Sequence, residues 1–126
     1  MKHFCYLALA LPLALLSCKK ESPAARVSAC GVKDPGTNLP WLREMIEEEK
    51  EKEHGSSATI RLFEYKGTTY FDYTNSFMSC VICRVYDCDG NPVSLNEAYG
   101  EDEYPDFINT ARGSSAIVIW KGKEAF

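Results

Sequence analysis

Cysteines are the residues in this sequence whose type and spacing could carry chemistry, and the chain of 126 residues has six of them. Cys80 and Cys83 form a C-x-x-C motif, a spacing shared by thiol oxidoreductases and some zinc sites. Redox motifs activate the first thiol at a helix N-terminus, whereas the residues after Cys83 read as a strand. The sequence lacks the second C-x-x-C typical of zinc sites. We therefore predict no enzyme, metal or cofactor, with a thiol-disulfide oxidoreductase using Cys80 and Cys83 as an alternative.

The N-terminus has the features of an export signal. Lys2 precedes an apolar run over residues 4–16, which is shorter than the about 20 residues of a membrane-spanning helix. The run ends in Leu15-Leu16-Ser17-Cys18, which resembles the lipobox of bacterial lipoproteins. The resemblance implies cleavage before Cys18 and anchoring in the membrane through acyl chains, including palmitate, on Cys18. Lys19 at the next position resembles the sorting pattern for the outer membrane.

An exported protein meets an oxidising compartment, where the four cysteines beyond Cys18 favour two disulfides. A strand rises about 3.3 Å per residue, so Cys83 and Cys88 in an extended segment lie roughly 16 Å apart. A disulfide requires Cα atoms closer than about 7 Å, and Cys80 reaches Cys88 only by doubling back. The geometry favours pairing of Cys80 with Cys83 and of Cys30 with Cys88. The latter closes a long loop and contributes about 4 kcal/mol in the chain-entropy model.

These features divide the chain into three parts. Residues 1–17 are the predicted signal peptide, residues 18–29 the lipidated N-terminus with a flexible spacer, and residues 30–126 a single domain. The formal net charge is −4. This charge argues against a protein that binds nucleic acid by neutralising phosphates.

A change of hydrophobic period predicts an α+β domain. Apolar residues at three- and four-residue spacing predict a helix from Pro40 to about His54, with Trp41 in a structural role. From Ala58 the period becomes two, and Lys66-Gly67 predicts a hairpin turn. A third strand from Arg84 runs into an Asp-Gly turn. We expect one N-terminal helix packed on an antiparallel β-meander of about four to five strands, stapled by disulfides.

Two later segments complete the predicted domain. Residues 116–120 are apolar on both faces and predict a central strand. Residues 95–113 predict a long acidic loop, whose aromatic and acidic side chains are typical of recognition surfaces. The candidate binding surface consists of Tyr99, Glu101, Asp102, Glu103, Tyr104 and Phe107.

Short blocks over residues 30–122 resemble a family of small uncharacterised lipoproteins from Gram-negative gut bacteria. The blocks are Cys30-Gly31-Val32, Asn38-Leu39-Pro40-Trp41-Leu42, Cys80-Val81-Ile82-Cys83, Tyr86-Asp87-Cys88-Asp89-Gly90-Asn91, Pro105-Asp106-Phe107 and Ile119-Trp120-Lys121. The resemblance implies a cysteine-stapled envelope domain without an assigned activity. Many members carry additional cysteines in the regions where this chain has Ser94 and Tyr104. The resemblance therefore implies that fewer cross-links constrain its long loop.

The expected function follows from the anchor and the domain. We expect a non-catalytic, outer-membrane-anchored lipoprotein that binds an unknown protein or other ligand in the cell envelope. An inhibitor of a secreted protease is an alternative, because small size, disulfides and a long exposed loop are typical of such inhibitors.

Overall fold

The computed structural model describes residues 26–53, 56–82, 84–95 and 99–123. Its elements are β1 (Ser28–Ala29), β2 (Val32–Lys33), α1 (Pro35–Asn38), α2 (Pro40–Lys50), β3 (Thr59–Tyr65), β4 (Thr68–Thr74), β5 (Arg84–Tyr86), a 3₁₀ turn (Glu101–Glu103), α3 (Tyr104–Arg112) and β6 (Ile117–Lys121). β1 and β2 form a small antiparallel pair, and the larger sheet has the antiparallel order β5-β4-β3-β6. The predicted α+β class is confirmed. The signal peptide, Cys18 and most of the spacer lie outside the described residues.

The hairpin of β3 and β4 turns at Lys66-Gly67, as predicted. Lys66 has φ 50° and Gly67 has φ 77°, so both turn residues adopt the left-handed conformation that matches the twist of the flanking strands. Glycine occupies this conformation at little steric cost. The turn sets the register, in which Tyr65 pairs with Thr68 and Arg61 with Asp72. This register later decides which side chains share a face.

Helices cover both faces of the larger sheet. Successive strand residues point to opposite faces. Ile60 and Leu62 of β3 pack with Leu42 and Ile46 of α2, while Phe63 packs on the opposite face. Tyr65 and Val85 share that opposite face, which is covered by Tyr99 together with Phe107 and Ala111 of α3. The prediction of one N-terminal helix on one face of the sheet is therefore wrong.

The position of β6 also differs from the prediction. β6 pairs with β3 and forms an edge of the sheet, whereas its apolar sequence predicted a central strand. Ile119 packs in the α2 core, but Ile117 and Val118 are partly exposed. The sheet is a meander only from β3 to β5, because the chain crosses over before returning as β6.

The disulfide between Cys30 and Cys88 is confirmed, with Cα atoms 5.5 Å apart. It joins the segment before α1 to the turn after β5. Trp41 lies beside this bond and donates a hydrogen bond from Nε1 to the carbonyl oxygen of Cys88 at 2.9 Å. Its indole also packs edge-on against Phe71. These contacts fasten the start of α2 to the sheet, which agrees with the structural role predicted for Trp41.

A buried carboxylate anchors the other end of α2. Glu49 accepts hydrogen bonds from Lys52, Ser56 and Tyr73 at 2.5–2.6 Å. Burial raises the pKa of Glu49, but these three donors outweigh burial and leave the pKa below its usual value. α2 ends at Lys50, short of the predicted His54, which lies outside the described residues.

The predicted long loop at residues 95–113 is largely ordered structure. A 3₁₀ turn at Glu101–Glu103 leads directly into α3, with Pro105 in the first helical turn, where a proline is well tolerated. Phe107 and Ala111 lie four residues apart and therefore share the buried face. The aromatic residues of this segment thus form an amphipathic helix and its core contacts. None of the described helices has the length and apolar content needed to cross a membrane.

Candidate functional site

An open polar pocket of about 370 Å³ lies on the α3 face of the sheet. Two arginines line it, Arg61 from β3 and Arg112 from the last turn of α3. The remaining wall combines small polar side chains with a few apolar ones, namely Ser57, Thr59, Thr74, Asn75, Ser76, Met78, Cys80 and Val81. A volume of this size is at the lower end of pockets that hold small ligands.

Strand alternation explains why these residues meet. Thr59 and Arg61 are two apart on β3, and their cross-strand partners are Thr74 and Asp72 on β4. Residues two apart on a strand, together with their direct partners, project from the same face. Arg112 reaches this face from α3. Two strands and one helix therefore converge on one cluster.

Asp72 lies at the centre of the cluster and its side chain is fully buried. Its Oδ2 atom is 3.7 Å from Nη1 of Arg61 and 3.6 Å from Nη2 of Arg112. These distances are too long for hydrogen bonds. Neither carboxylate oxygen of Asp72 has a hydrogen-bond partner among the described residues. The cluster is thus held by charge and packing, with the arginines near the surface.

Burial dominates the electrostatics of Asp72. It raises the pKa of the Asp72 carboxyl to about 6, against the opposing effects of Arg112 and Arg61. Burial and the positive charge of Arg112 lower the pKa of Arg61, while Asp72 acts in the opposite direction. At neutral pH Asp72 is ionised, so the three side chains carry a net charge of about +1. An anion entering the pocket meets a positive surface.

The arginines keep donors for such an anion. A guanidinium has five N–H donors. Among the described residues, Arg61 donates one hydrogen bond, to Oγ1 of Thr74 at 3.3 Å, and Arg112 donates one to the carbonyl oxygen of Val81. Nε of Arg112 is buried and has no hydrogen-bond partner in that part of the chain. The pocket therefore combines fixed positive charge with unused donors.

The outer wall of the pocket is a turn that follows β4. Asn75 organises it, because its Oδ1 accepts from the Phe77 amide at 3.0 Å and its carbonyl accepts from the Met78 amide at 3.1 Å. The amide of Ser76 donates to Oγ of Ser57 at 3.2 Å. This turn places Phe77 outward, with 91% of its surface exposed.

The predicted cysteine sites fall in different places. Cys30 and Cys88 bond to each other and are absent from the pocket lining. Cys80 is also disulfide-bonded, and it lines the arginine pocket. Its predicted partner Cys83 lies outside the described residues, so this pairing stays a prediction.

The predicted aromatic and acidic surface is divided by the fold. Tyr99 and Phe107 pack against each other with ring centroids 4.5 Å apart, and Phe107 is fully buried. These two residues belong to the core and offer no contact surface. Asp102 and Tyr104 are exposed, while Glu103 forms an ion pair with Lys66. The side chain of Glu101 lies outside the described set.

The turn at residues 87–91 uses the carboxylate of Asp87 as a hydrogen-bond acceptor. Oδ1 of Asp87 accepts from the amides of Asp89 and Asn91 at 2.9 and 2.8 Å, and its Oδ2 accepts from the Asn91 side chain at 3.0 Å. Burial raises the pKa of Asp87, but these hydrogen bonds together outweigh burial and lower the pKa overall. The carboxylate is therefore engaged by the turn itself.

Sequence analysis did not identify Arg61, Asp72 and Arg112 as a site. A usable signal for the first two was the hairpin turn, because a two-residue turn at Lys66-Gly67 places Arg61 opposite Asp72. Opposite charges facing each other on a covered face indicate a buried ion pair. Arg112 had no such signal, since its segment was predicted to be a loop.

Comparison of the chain with protein-family models, with curated proteins and with solved structures found no match. The resemblance to small envelope lipoproteins therefore stays a prediction.

Proposed function

We propose that this protein is a lipid-anchored, non-catalytic binding domain of the bacterial outer membrane that holds an anionic ligand in the pocket of Arg61 and Arg112. The lipobox-like sequence at Cys18 supports the anchor and the location. The observation that carries the ligand proposal is the pair of guanidinium groups over a single buried carboxylate. Two positive charges against one negative charge leave an excess that an incoming anion neutralises.

Partial burial of the arginines strengthens the attraction between this excess positive charge and an anion. Charges that are partly removed from water interact more strongly than charges on an open surface. The side chains of Arg61 and Arg112 are 23% and 28% exposed, so an anion that reaches them displaces little water from the arginines. Hydroxyl groups of Ser57, Thr59 and Thr74 surround the position and can complete its hydrogen bonds.

The test is direct titration of the protein, purified in a non-ionic detergent, with sodium acetate and sodium sulfate against a sodium chloride background. We expect saturable heat in calorimetry for at least one of the two anions. Replacing Arg61 by Gln removes one guanidinium and should weaken binding by about tenfold or more, as for loss of a hydrogen bond to a charged group. Arg112→Gln should have a similar effect.

A matched control is Arg43→Gln, which removes the same charge from the exposed side of α2. This variant should bind as the unmodified protein does. Equal weakening by Arg43→Gln and Arg61→Gln would indicate a general charge effect and contradict the pocket. An absence of saturable binding for both anions would also contradict it.

A thiol oxidoreductase is the second candidate function, and one observation favours it. Cys80 lines the same pocket as the two arginines, and nearby positive charge lowers the pKa of a thiol. Reduction of insulin by the dithiol form of the protein tests this activity. An inactive reduced protein would exclude it.

The protease-inhibitor hypothesis has less support than the binding proposal. It was based on small size, disulfides and a long exposed loop at residues 95–113, whereas much of that segment forms the 3₁₀ turn and α3, with Phe107 buried. We do not develop this function further.

A further inference from the structure

Large apolar side chains border the arginine pocket. Met78 and Val81 line the pocket, and Val81 is 54% exposed. Phe77 follows Ser76 and precedes Met78 in the turn and is almost fully exposed. The hydrogen bonds of the Asn75 turn hold Phe77 in this outward position. Exposed apolar groups rimmed by polar residues are typical of interaction sites. The ligand therefore has an apolar part next to its charge.

The charge of the pocket selects a monoanion. With Asp72 ionised, the cluster of Arg61, Asp72 and Arg112 has a net charge of about +1. A carboxylate neutralises it, whereas a phosphate dianion leaves an excess negative charge beside the buried Asp72. Carboxylate geometry also matches the fork of a guanidinium.

The polar wall suits a peptide better than a simple fatty acid. Thr59 and Thr74 present hydroxyl groups next to the arginines, and Asn75 and Ser76 follow on the turn. A peptide carries amide N–H and C=O groups beside its terminal carboxylate, and these groups match such a wall. A fatty acid offers only methylene groups at the same place, which would leave the hydroxyls facing apolar surface.

We propose that the pocket binds the C-terminal carboxylate of a peptide or protein whose last residue is apolar. The carboxylate lies on Arg61 and Arg112, and the last side chain packs against Met78 and Val81. Capture of a terminal carboxylate is an established mode of peptide recognition. This inference rests on the proposed function, because it uses the same arginines.

The first experiment changes only the ligand. The protein in non-ionic detergent is titrated with acetyl-Gly-Ser-Gly-Leu carrying a free C-terminus, with its C-terminal amide, with the peptide ending in Ser, and with octanoate. We expect the amide to bind about tenfold or more weakly, because it lacks the charge that the arginines recognise. The peptide ending in Ser should bind about fivefold more weakly, since it buries less apolar surface.

The second experiment changes the apolar rim. Val81→Ser should weaken binding of the Leu-terminated peptide by about fivefold, because the leucine side chain loses an apolar partner, and should leave acetate binding unchanged, because acetate lacks that side chain. Val81 is 54% exposed, so this variant keeps its fold. Ile117→Ser is the matched control, because Ile117 is an exposed apolar residue outside this pocket, and it should change neither ligand.

The outcomes separate this inference from the proposed function. Acetate binding that depends on Arg61, together with equal affinity for the free peptide and its amide, would overturn the inference and leave the proposed function standing. Octanoate binding as tightly as the peptide would overturn the assignment to a peptide C-terminus and point to a fatty acid. Failure of every anion and peptide to bind would overturn both.

Discussion

The buried Asp72 provides the sharpest test of the electrostatics. Its pKa is raised from 3.8 to about 6 in the folded protein, so the folded state retains the proton over a range in which the unfolded chain has released it. The contribution of Asp72 to stability therefore falls as pH rises between about 4 and 6 and is constant on either side. A shift of about two units corresponds to about 3 kcal/mol in the free energy of unfolding.

Asp72→Asn removes this titration and keeps the shape of the side chain. We expect the stability of the variant relative to the unmodified protein to rise by about 3 kcal/mol between pH 4 and pH 7.5. Urea denaturation followed by tryptophan fluorescence at the two pH values measures this difference. The effects of all other carboxylates cancel in the comparison. Piperazine buffers avoid carboxylate and phosphate anions that could occupy the pocket.

The expected sign comes from a competition between two effects. The carboxylate is fully buried and has no hydrogen-bond donor among the described residues, while the two guanidinium groups lie at 3.6–3.7 Å and are partly exposed. Solvent therefore screens the arginines more than it solvates Asp72. A relative stability that stays flat or falls with pH would show that the arginines dominate and would refute this reasoning. Asp102→Asn, at an exposed carboxylate, is the control and should show little change.

The same competition predicts how pH affects the affinity for the proposed anionic ligand. A bound carboxylate adds a second negative charge next to Asp72, so it binds more tightly when Asp72 is protonated. Acetate affinity should fall as pH rises from about 5 to 8. In Asp72→Asn this dependence should disappear, and calorimetric titration at several pH values measures it. An affinity independent of pH in the unmodified protein would contradict contact between the ligand and this cluster.

Three further predictions concern the fold and the anchor. Replacing both Cys30 and Cys88 by Ala should lower the free energy of unfolding by about 4 kcal/mol, because a cross-link with a sequence separation of 58 no longer restricts the unfolded chain; urea denaturation measures it, and an unchanged midpoint would contradict it. Gly90→Ala should lower the free energy of unfolding by about 3 kcal/mol, because the φ of Gly90 is 82° and an added Cβ would lie 2.6 Å from the indole of Trp41. Gly67→Ala, with similar φ and open space, isolates the conformational part and should cost about 1 kcal/mol in the same assay. Cys18→Ser should abolish incorporation of palmitate and release the protein from the membrane fraction; continued labelling would refute lipidation at this position.

Local rules predicted several parts of the fold. The positive φ values required at Lys66-Gly67 define the hairpin, and Pro40 marks the first turn of α2 as expected. The rise of a strand per residue excluded Cys83 as the partner of Cys88 and disfavoured Cys80, so it favoured the pairing with Cys30 that the structure has. The hairpin and the start of α2 depend on the covalent geometry of a few neighbouring residues, and the exclusion of Cys83 depends on the short extended segment that joins it to Cys88. Such geometry is readable without knowledge of the rest of the chain.

Other features were decided by contacts between distant segments. The segment after residue 95 was predicted to be a loop because its acidic and aromatic residues resemble an exposed recognition surface. In the structure, Tyr99 and Phe107 cover the sheet face that carries Phe63 and Tyr65. Burial of Tyr99 and Phe107 is favourable only against that apolar sheet face. The composition of the segment does not reveal this contact, so it favoured an exposed loop. The edge position of β6 depends in the same way on which strand remains available for pairing.

By itself, the sequence predicted an α+β chain with a hairpin at Lys66-Gly67, favoured a bond between Cys30 and Cys88, and contained a lipobox-like start. Only the tertiary structure decided that α3 returns across the sheet and brings Arg112 to within 3.6 Å of Asp72. The physical reason is the sequence distance between the residues that each feature depends on. Turn, helix and disulfide geometry is set by local dihedral angles and chain length, whereas the charge and burial of the pocket depend on two strands and a helix meeting in space.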